Sequence, residues 1–482
     1  MNFLPRGCEA SLEEPTVKQI FNPYLPGYEY IPDGEPHVFG DRVYVYGSHD
    51  RYGGQTFCLN DYVCYSAPVD DLKSWRYEGL IYSALDDPAN GDGHMVLYAP
   101  DVTKGPDGRY YLFYVLDKVG HVSVAVCDKP AGRYEFYGNV RYQDGTRLGE
   151  REGDEPQFDP GVLTEGDKTY MFTGFSGHHD PSRQGAMLTI LDKDMLTVIK
   201  EPEYVVPCDD NAVGTPYEGH GFFEAPSIRK REGKYYFIYS SEAMHELCYA
   251  ISDKAEGPYS YGGVIVSNCD IGIGGYKEPS LSMAYGANNH GSIEKIGDDW
   301  HIFYHRHTNA SWCSRQGCAE KIAFLPDGSI PQVAITSCGL NGGPLSDQVE
   351  YPSYIACHIF NEKHEIYIGD DGAPRVMQDG ADSDPVVPYV GYIKNGVTIG
   401  FKSFRLEGAT GLMIRTRGFF NGSFAVKTTW DGEVLGRISV QGENVWTKGE
   451  CKAAFPDGEH DLYLTFEGDG CGYLKSFAFL HQ

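Results

Sequence analysis

One phrase recurs five times along the chain: a polar residue able to take part in chemistry, a short gap, then a glycine that opens an aromatic-rich run. Asp33 precedes Gly40-Asp-Arg-Val-Tyr-Val-Tyr46, Asp101 precedes Gly108-Arg-Tyr-Tyr-Leu-Phe-Tyr114, and Asp159 precedes Gly166-Asp-Lys-Thr-Tyr-Met-Phe172. Glu224 stands before Gly233-Lys-Tyr-Tyr-Phe-Ile-Tyr239, and His290 before Gly297-Asp-Asp-Trp-His-Ile-Phe-Tyr304. The glycines are 68, 58, 67 and 64 residues apart, and strand-like segments such as His121–Val126 and Leu247–Ile251 follow them. Repeats of antiparallel sheet with no long amphipathic helix between them predict a five-bladed β-propeller over residues 1–340. The start of every innermost strand in such a ring faces one mouth, so the five head residues are expected to converge there.

The Gly/Pro/Ser stretch Gly339-Leu-Asn-Gly-Gly-Pro-Leu-Ser346 marks a boundary. Beyond it, short alternating segments such as Val397–Phe401 and Asp461–Phe466 predict a β-sandwich over residues 341–482. The expected fold class is therefore all-β throughout. Its 36 Tyr, 59 Gly and 28 Pro suit short strands and tight turns.

The formal net charge of −28 argues against nucleic-acid or anionic-membrane partners and is compatible with a neutral sugar. No apolar run reaches the ~18 residues of a membrane span. Met1 to Phe21 lacks an apolar core and carries Glu9, Glu13 and Glu14, and the 13 Cys include no C-x-x-C. A cytoplasmic protein with reduced thiols is expected. Oligomeric state is not legible.

Two aspartates and a glutamate at one mouth are what glycosidic hydrolysis needs: an acid to protonate the leaving oxygen and a carboxylate to activate water. A third acid nearby raises the donor's pKa. Glu224, in Phe222-Phe-Glu-Ala-Pro226, has the apolar surroundings that keep a carboxyl protonated. Its register is also distinct, nine residues before its glycine where the other four heads stand at seven. An even offset keeps it on the same strand face, slightly farther out.

The series Pro32-Asp-Gly-Glu-Pro-His-Val-Phe39, Tyr98-Ala-Pro-Asp-Val102, Phe223-Glu-Ala-Pro-Ser-Ile228 and Asn289-His-Gly-Ser-Ile293 resembles glycoside hydrolase family 43 across roughly residues 20 to 335. The resemblance implies a five-bladed propeller and hydrolysis with inversion, with Asp33 as general base, Asp101 as pKa modulator and Glu224 as general acid. It further implies that His290 helps hold a hydrated calcium ion near the axis, no cofactor being required for the chemistry, and that Arg315 approaches the sugar. Tyr98, Phe223, Asp159 and His49 are expected to line the substrate cleft, with His178 and His179 as further cleft residues. The motifs depart from the family pattern at Pro32-Asp33-Gly34, Tyr98 and Ala225, which blurs the subfamily and removes no carboxylate. The C-terminal part loosely resembles family 6 carbohydrate-binding modules, in which Trp430, Trp446, Tyr389 and Tyr392 would stack on sugar rings.

The activity implied is an exo-glycosidase removing terminal α-L-arabinofuranose from hemicellulose oligosaccharides, with β-D-xylosidase as the neighbouring alternative. A non-catalytic glycan-binding propeller is the rival from another class, and it has no need of the carboxylate trio.

Overall fold

A computed structural model describes residues 18–177, 182–273, 281–364 and 372–481. Four antiparallel four-stranded sheets and one three-stranded sheet follow one another through residues 35–322, each ordered in sequence from its first strand outward. The first blade runs Glu35–Phe39, Arg42–Tyr46, Tyr62–Pro68 and Arg76–Tyr82. The recurring glycines are the hairpin turns between first and second strands, and all five have positive φ, from 61° to 86°. A Cβ at Gly40, Gly166 or Gly233 would meet nothing within 4 Å, so backbone conformation demands glycine there.

The aromatic runs are the second strands, and their alternation explains the ring. Successive side chains of a strand point to opposite faces. In the fourth blade Tyr235, Phe237 and Tyr239 pack into a core shared with the third blade, while Tyr236 and Ile238 pack into one shared with the fifth. Three similar cores join the remaining neighbours. Each blade thus buries both faces against its neighbours, which a ring allows for every member.

Closure is made by residues distant in sequence. Gly34 bridges Gly291 in parallel, joining first and last blades along the axis. The segment before the first blade lies along the outer strand of the last, Gln316–Ile322. The Asn22 side-chain amide donates to Ala319 O at 3.0 Å and accepts from Ala319 N at 3.0 Å, while its own N–H donates to Ser337 O at 2.9 Å.

The C-terminal unit is all β, built from the alternating strands expected of it. It is one hydrogen-bonded sheet, ten-stranded among the described residues, curled around a single apolar core. Two long strands, Gly411–Lys427 and Gly458–Leu480, pair along seventeen positions and carry the curl. Their crossing is lined with glycine: a Cβ on Gly422 would stand 2.2 Å from Glu467 O, and one on Gly468 2.2 Å from Asn421 O. Without side chains the two strands bend together instead of splitting into separate layers.

This unit is docked firmly on the propeller. His358 Nε2 meets Asp270 Oδ2 at 2.7 Å, Lys402 Nζ donates to the same oxygen at 3.2 Å, and Tyr285 Oη donates to Pro374 O at 2.9 Å. The aromatics expected to stack on sugars take part in packing. Trp430 packs beside a small core of Met283, Phe360 and Tyr463 that spans the two units. Tyr389 is buried, and the Arg417 guanidinium covers Tyr389 and Trp446 at 4.9 and 4.5 Å. Tyr392 carries Arg375 over its ring at 4.6 Å.

Candidate active site

A cavity of about 430 Å³ opens at the propeller mouth, lined by Asp33, Tyr98, Asp159, Glu224, His290 and Arg315 among others. This lies within the usual size of a small-ligand site. Aromatic walls come from Tyr98, Phe57, Phe158 and Phe175. Phe158 meets both Tyr98 and Phe175 edge to face, with centroids 5.4 Å away in each case.

Asp33 precedes the innermost strand of the first blade at φ 57°. Asp159 and Ala225 also hold positive φ, at 45° and 65°. Three non-glycine residues in this sparsely allowed region at one mouth mark backbone set by its surroundings. Asp33 Oδ1 accepts from Arg315 Nη1 at 2.9 Å. Arg315 is in turn clamped by Asp50, with Nε to Oδ2 at 2.8 Å and Nη2 to Oδ1 at 3.1 Å. Burial pushes the Asp33 carboxyl up, but Arg315, His305 and His290 together outweigh it and hold the group far below the usual carboxylate range. Behind it, His305 Nε2 lies 2.7 Å from Asn288 O and its Nδ1 3.3 Å from the Asp33 N–H. The same Nδ1 lies 3.2 Å from Asp33 Oδ1.

Glu224 lies in Phe222–Arg231, and the nine-residue spacing has a structural cause. Two register shifts separate Phe222, Glu224 and Ser227 against the neighbouring strand, adding two residues on this side of the ladder. These bulges place Glu224 at the mouth with the other heads. No charged donor pairs with its carboxyl among the described residues. Burial pushes its pKa up to about 8, Asp159 adding to the rise. Asp159 is itself raised to about 7, first by burial, and accepts a hydrogen bond from the Ala225 N–H.

Asp101 is not brought to the cavity, so the modulating role expected of it lacks the geometry. It is fully buried in the channel, where Oδ1 meets His37 Nε2 at 2.6 Å and Oδ2 accepts from Val162 N at 2.7 Å. It pins the first three blades together. Asp159 occupies the position beside Glu224 instead. Phe223 stands behind the wall, 5.2 Å from the Phe175 ring. His49 also lies off the cavity wall, between Asp61 O at 2.9 Å and Glu29 Oε2 at 3.5 Å. His178 and His179 lie outside the described residues. Sequence reasoning missed Asp50, His305, Phe57 and Phe175, although Asp50 follows His49 directly and His305 ends the fifth aromatic run.

The channel below does not fit the expected calcium. Calcium takes six to eight oxygen ligands. His290 faces Glu35 Oε1 at 3.7 Å and Asp159 Oδ2 at 3.6 Å. Burial lowers its pKa, yet Glu35, Asp159 and Asp33 raise it to about 9. Farther in, Glu35, His37 and Asp101 come within 4.8 Å of one another, but Arg229 fills that space. Its Nη2 donates to Glu35 Oε2 at 2.9 Å and Pro36 O at 2.8 Å, and its Nε to Glu294 Oε2 at 3.0 Å. An imidazolium and a guanidinium already supply the positive charge. Exhaustive EDTA treatment is therefore expected to leave kcat/KM within about twofold of the untreated enzyme, a measurement that a catalytically needed cation would fail.

Comparison with known proteins gives the family and the fold. The family model for glycosyl hydrolases family 43 matches residues 22–330. A xylosidase/arabinosidase of Thermoclostridium stercorarium is 59% identical over 467 residues, covering 96% of this chain and 99% of that protein. The fold resembles that of a Bacillus subtilis arabinoxylan arabinofuranohydrolase solved with cellotetraose, at 20% identity and TM-score 0.51, covering 96% and 97% of the two chains. It also resembles a β-xylosidase/α-arabinofuranosidase from a compost metagenome solved with xylotriose in calcium-free form, at 26% identity and TM-score 0.50, covering 67% of this chain and 97% of that one. A five-bladed propeller with paired carboxyl groups at its mouth, matched along most of its length, makes this chain a member of glycosyl hydrolases family 43.

Proposed function

We propose that the protein is an inverting, exo-acting hydrolase that releases terminal α-L-arabinofuranose from hemicellulose-derived oligosaccharides, with β-D-xylose as the second sugar of the same pocket. The observation that carries this reading is the opposite proton affinity of two carboxyl groups on one cavity. Asp33 is held ionised by Arg315, and Glu224 is held protonated by burial and by Asp159. An anion that accepts a proton from water and an acid that donates one to the leaving oxygen make a hydrolytic pair. The names of the 59%-identical relative and of the xylotriose-bound structure support pentose substrates. A terminal sugar suits a cavity of about 430 Å³.

In this mechanism the sugar stacks against the aromatic wall with its anomeric carbon between the two carboxyl groups. Asp33 draws a proton from a water molecule, which attacks from the side opposite the leaving group. Glu224 protonates the departing oxygen as the bond breaks. Charge develops on the ring as an oxocarbenium ion, and Asp33 and Asp159 face it across the cavity. Direct displacement by water predicts that the first-formed sugar has inverted configuration, which NMR during the first turnovers reads. Retention would defeat the mechanism.

Kinetics on aryl α-L-arabinofuranoside and aryl β-D-xyloside decide the sugar, and a higher kcat/KM on the xyloside would reverse the order proposed. Tuning by Asp159 gives its own test. Asp159→Asn removes a charge that raises Glu224, so the alkaline fall of kcat/KM should move about 1 pH unit toward acid. Asp101→Asn should lower the melting temperature and leave that limb in place.

A further inference from the structure

The C-terminal unit reaches one edge of the site, at Asp382. Its Oδ1 accepts from Tyr52 N at 2.7 Å and its Oδ2 from Asn60 Nδ2 at 3.1 Å. Nearby, Gln378 N donates to Tyr52 Oη at 3.2 Å. Tyr52 and Asn60 flank the base of a loop of the first blade that has no regular secondary structure. That loop does three things for the site. Asp50 clamps Arg315, Phe57 carries the Arg315 guanidinium over its ring at 4.9 Å, and Phe57 and Cys58 form cavity wall.

Part of the loop's bonding is internal. Asn60 N donates to His49 O, Asn60 Nδ2 to Asp50 O, and Cys58 N to Asp50 Oδ1. Such bonds hold its shape and do little to fix its position over the mouth. The outside holds include Asp50 N to Tyr30 O at 2.9 Å, Arg315 Nε to Asp50 Oδ2 at 2.8 Å, Ser314 Oγ to Arg51 O at 2.8 Å, Gln378 N to Tyr52 Oη at 3.2 Å, and the pair on Asp382. Asp382 and Gln378 are the ones from the second unit, and of these two Asp382 carries the charge.

We propose that Asp382 is a positioning residue for catalysis: the C-terminal unit sets the Tyr52–Asn60 loop and, through Asp50 and Arg315, the orientation of Asp33. The second unit is then part of the catalytic machinery, whether or not it also binds sugar. This rests on Asp33 acting as the base. A misplacement of about 1 Å at reacting groups costs up to ~10²-fold in rate. Two residues of leverage soften that, and about a tenfold loss is expected for the latch.

The test uses the full-length enzyme and nitrophenyl α-L-arabinofuranoside, which is too short to touch a distant sugar site. Asp382→Ala should lower kcat/KM about tenfold, chiefly in kcat. Asp382→Asn keeps the acceptor for Tyr52 N and loses the one for Asn60, so it should fall between wild type and Asp382→Ala. Asn60→Ala removes that contact together with its bonds to Asp50 O and Arg51, so it should lower kcat/KM at least as far as Asp382→Asn, which keeps the proposal testable if Asp382→Ala folds poorly.

The pH profile adds a readout that mere destabilisation would not move. Asp33 faces Arg315, His305 and His290, and across the cavity Asp159 and Glu224. A loosened Arg315 relaxes the carboxyl upward, so the acidic limb of kcat/KM should move to higher pH. Lys402→Ala weakens docking at the Asp270 contact, away from the loop, and should lower the melting temperature with the acidic limb unmoved. Wild-type kcat/KM and an unmoved limb in Asp382→Ala, with Asp33→Asn inactive, would overturn the latch alone. An active Asp33→Asn would overturn the reading beneath it.

Discussion

Replacing Glu224 by Gln is expected to lower kcat on an arabinoside or xyloside with a sugar leaving group by about 10²–10⁴-fold, the range of a lost general acid. The same variant should lose far less on a nitrophenyl glycoside, whose leaving group departs without a proton. That dependence on the leaving group distinguishes an acid from any other damaged residue. The pH profile carries the sign. Glu224 acts protonated, so activity falls as pH rises through its pKa, raised to about 8. Glutamine holds no titrating proton, and the alkaline limb of the residual nitrophenyl activity should vanish. Equal losses on both substrates, with the limb retained, would remove Glu224 from the role.

Replacing Asp33 by Asn should cost about 10²–10⁴-fold whatever the leaving group, because the attacking water loses its base in every case. Here the acidic side is diagnostic. Asp33 acts ionised, and Arg315, His305 and His290 hold its pKa far below the usual range, so the wild-type enzyme should keep its base working well into acid solution. Binding should survive, since Asn is isosteric and Arg315 retains its clamp on Asp50. Calorimetric titration of Asp33→Asn with a non-hydrolysed xylo-oligosaccharide should therefore give an affinity near that of Glu224→Gln. A variant that cannot bind, or that loses activity only on sugar leaving groups, would place Asp33 elsewhere in the reaction.

The propeller was legible because its signal is periodic. A positive-φ glycine at each inner hairpin and an aromatic strand with two buried faces repeat five times, and neither depends on contacts far along the chain. The unusual spacing of Glu224 was legible too, as a count of two extra residues, although that count did not reveal that two bulges absorb them. Asp101 was misread for a physical reason. Its Tyr-Ala-Pro-Asp context is the most regular copy, and regularity is what an inner strand needs to be buried between neighbours. The residue that stayed with the cavity, Asp159, is the one whose backbone is twisted to φ 45°. Backbone angle leaves only a faint mark in sequence, since Asp-Pro reads equally as an ordinary turn. Asp50 and Asp382 were invisible because their meaning comes from partners hundreds of residues away: Arg315 for the first, Tyr52 and Asn60 for the second.

The seam where Asn22 lies against Ala319 and Gly34 against Gly291 governs how the protein comes into being. Blades one to four are built from hairpins and can form as the chain emerges, each from neighbours in sequence. The seam joins segments separated by nearly the whole ring, so it waits for synthesis of the fifth blade and bears the loop-closure entropy of about 300 residues. Non-local contacts of this kind slow folding. Asp33 and Arg315 stand on opposite sides of the seam. Until it closes, Arg315 is not held against Asp33, and the ion pair that keeps the proposed base ionised is not formed.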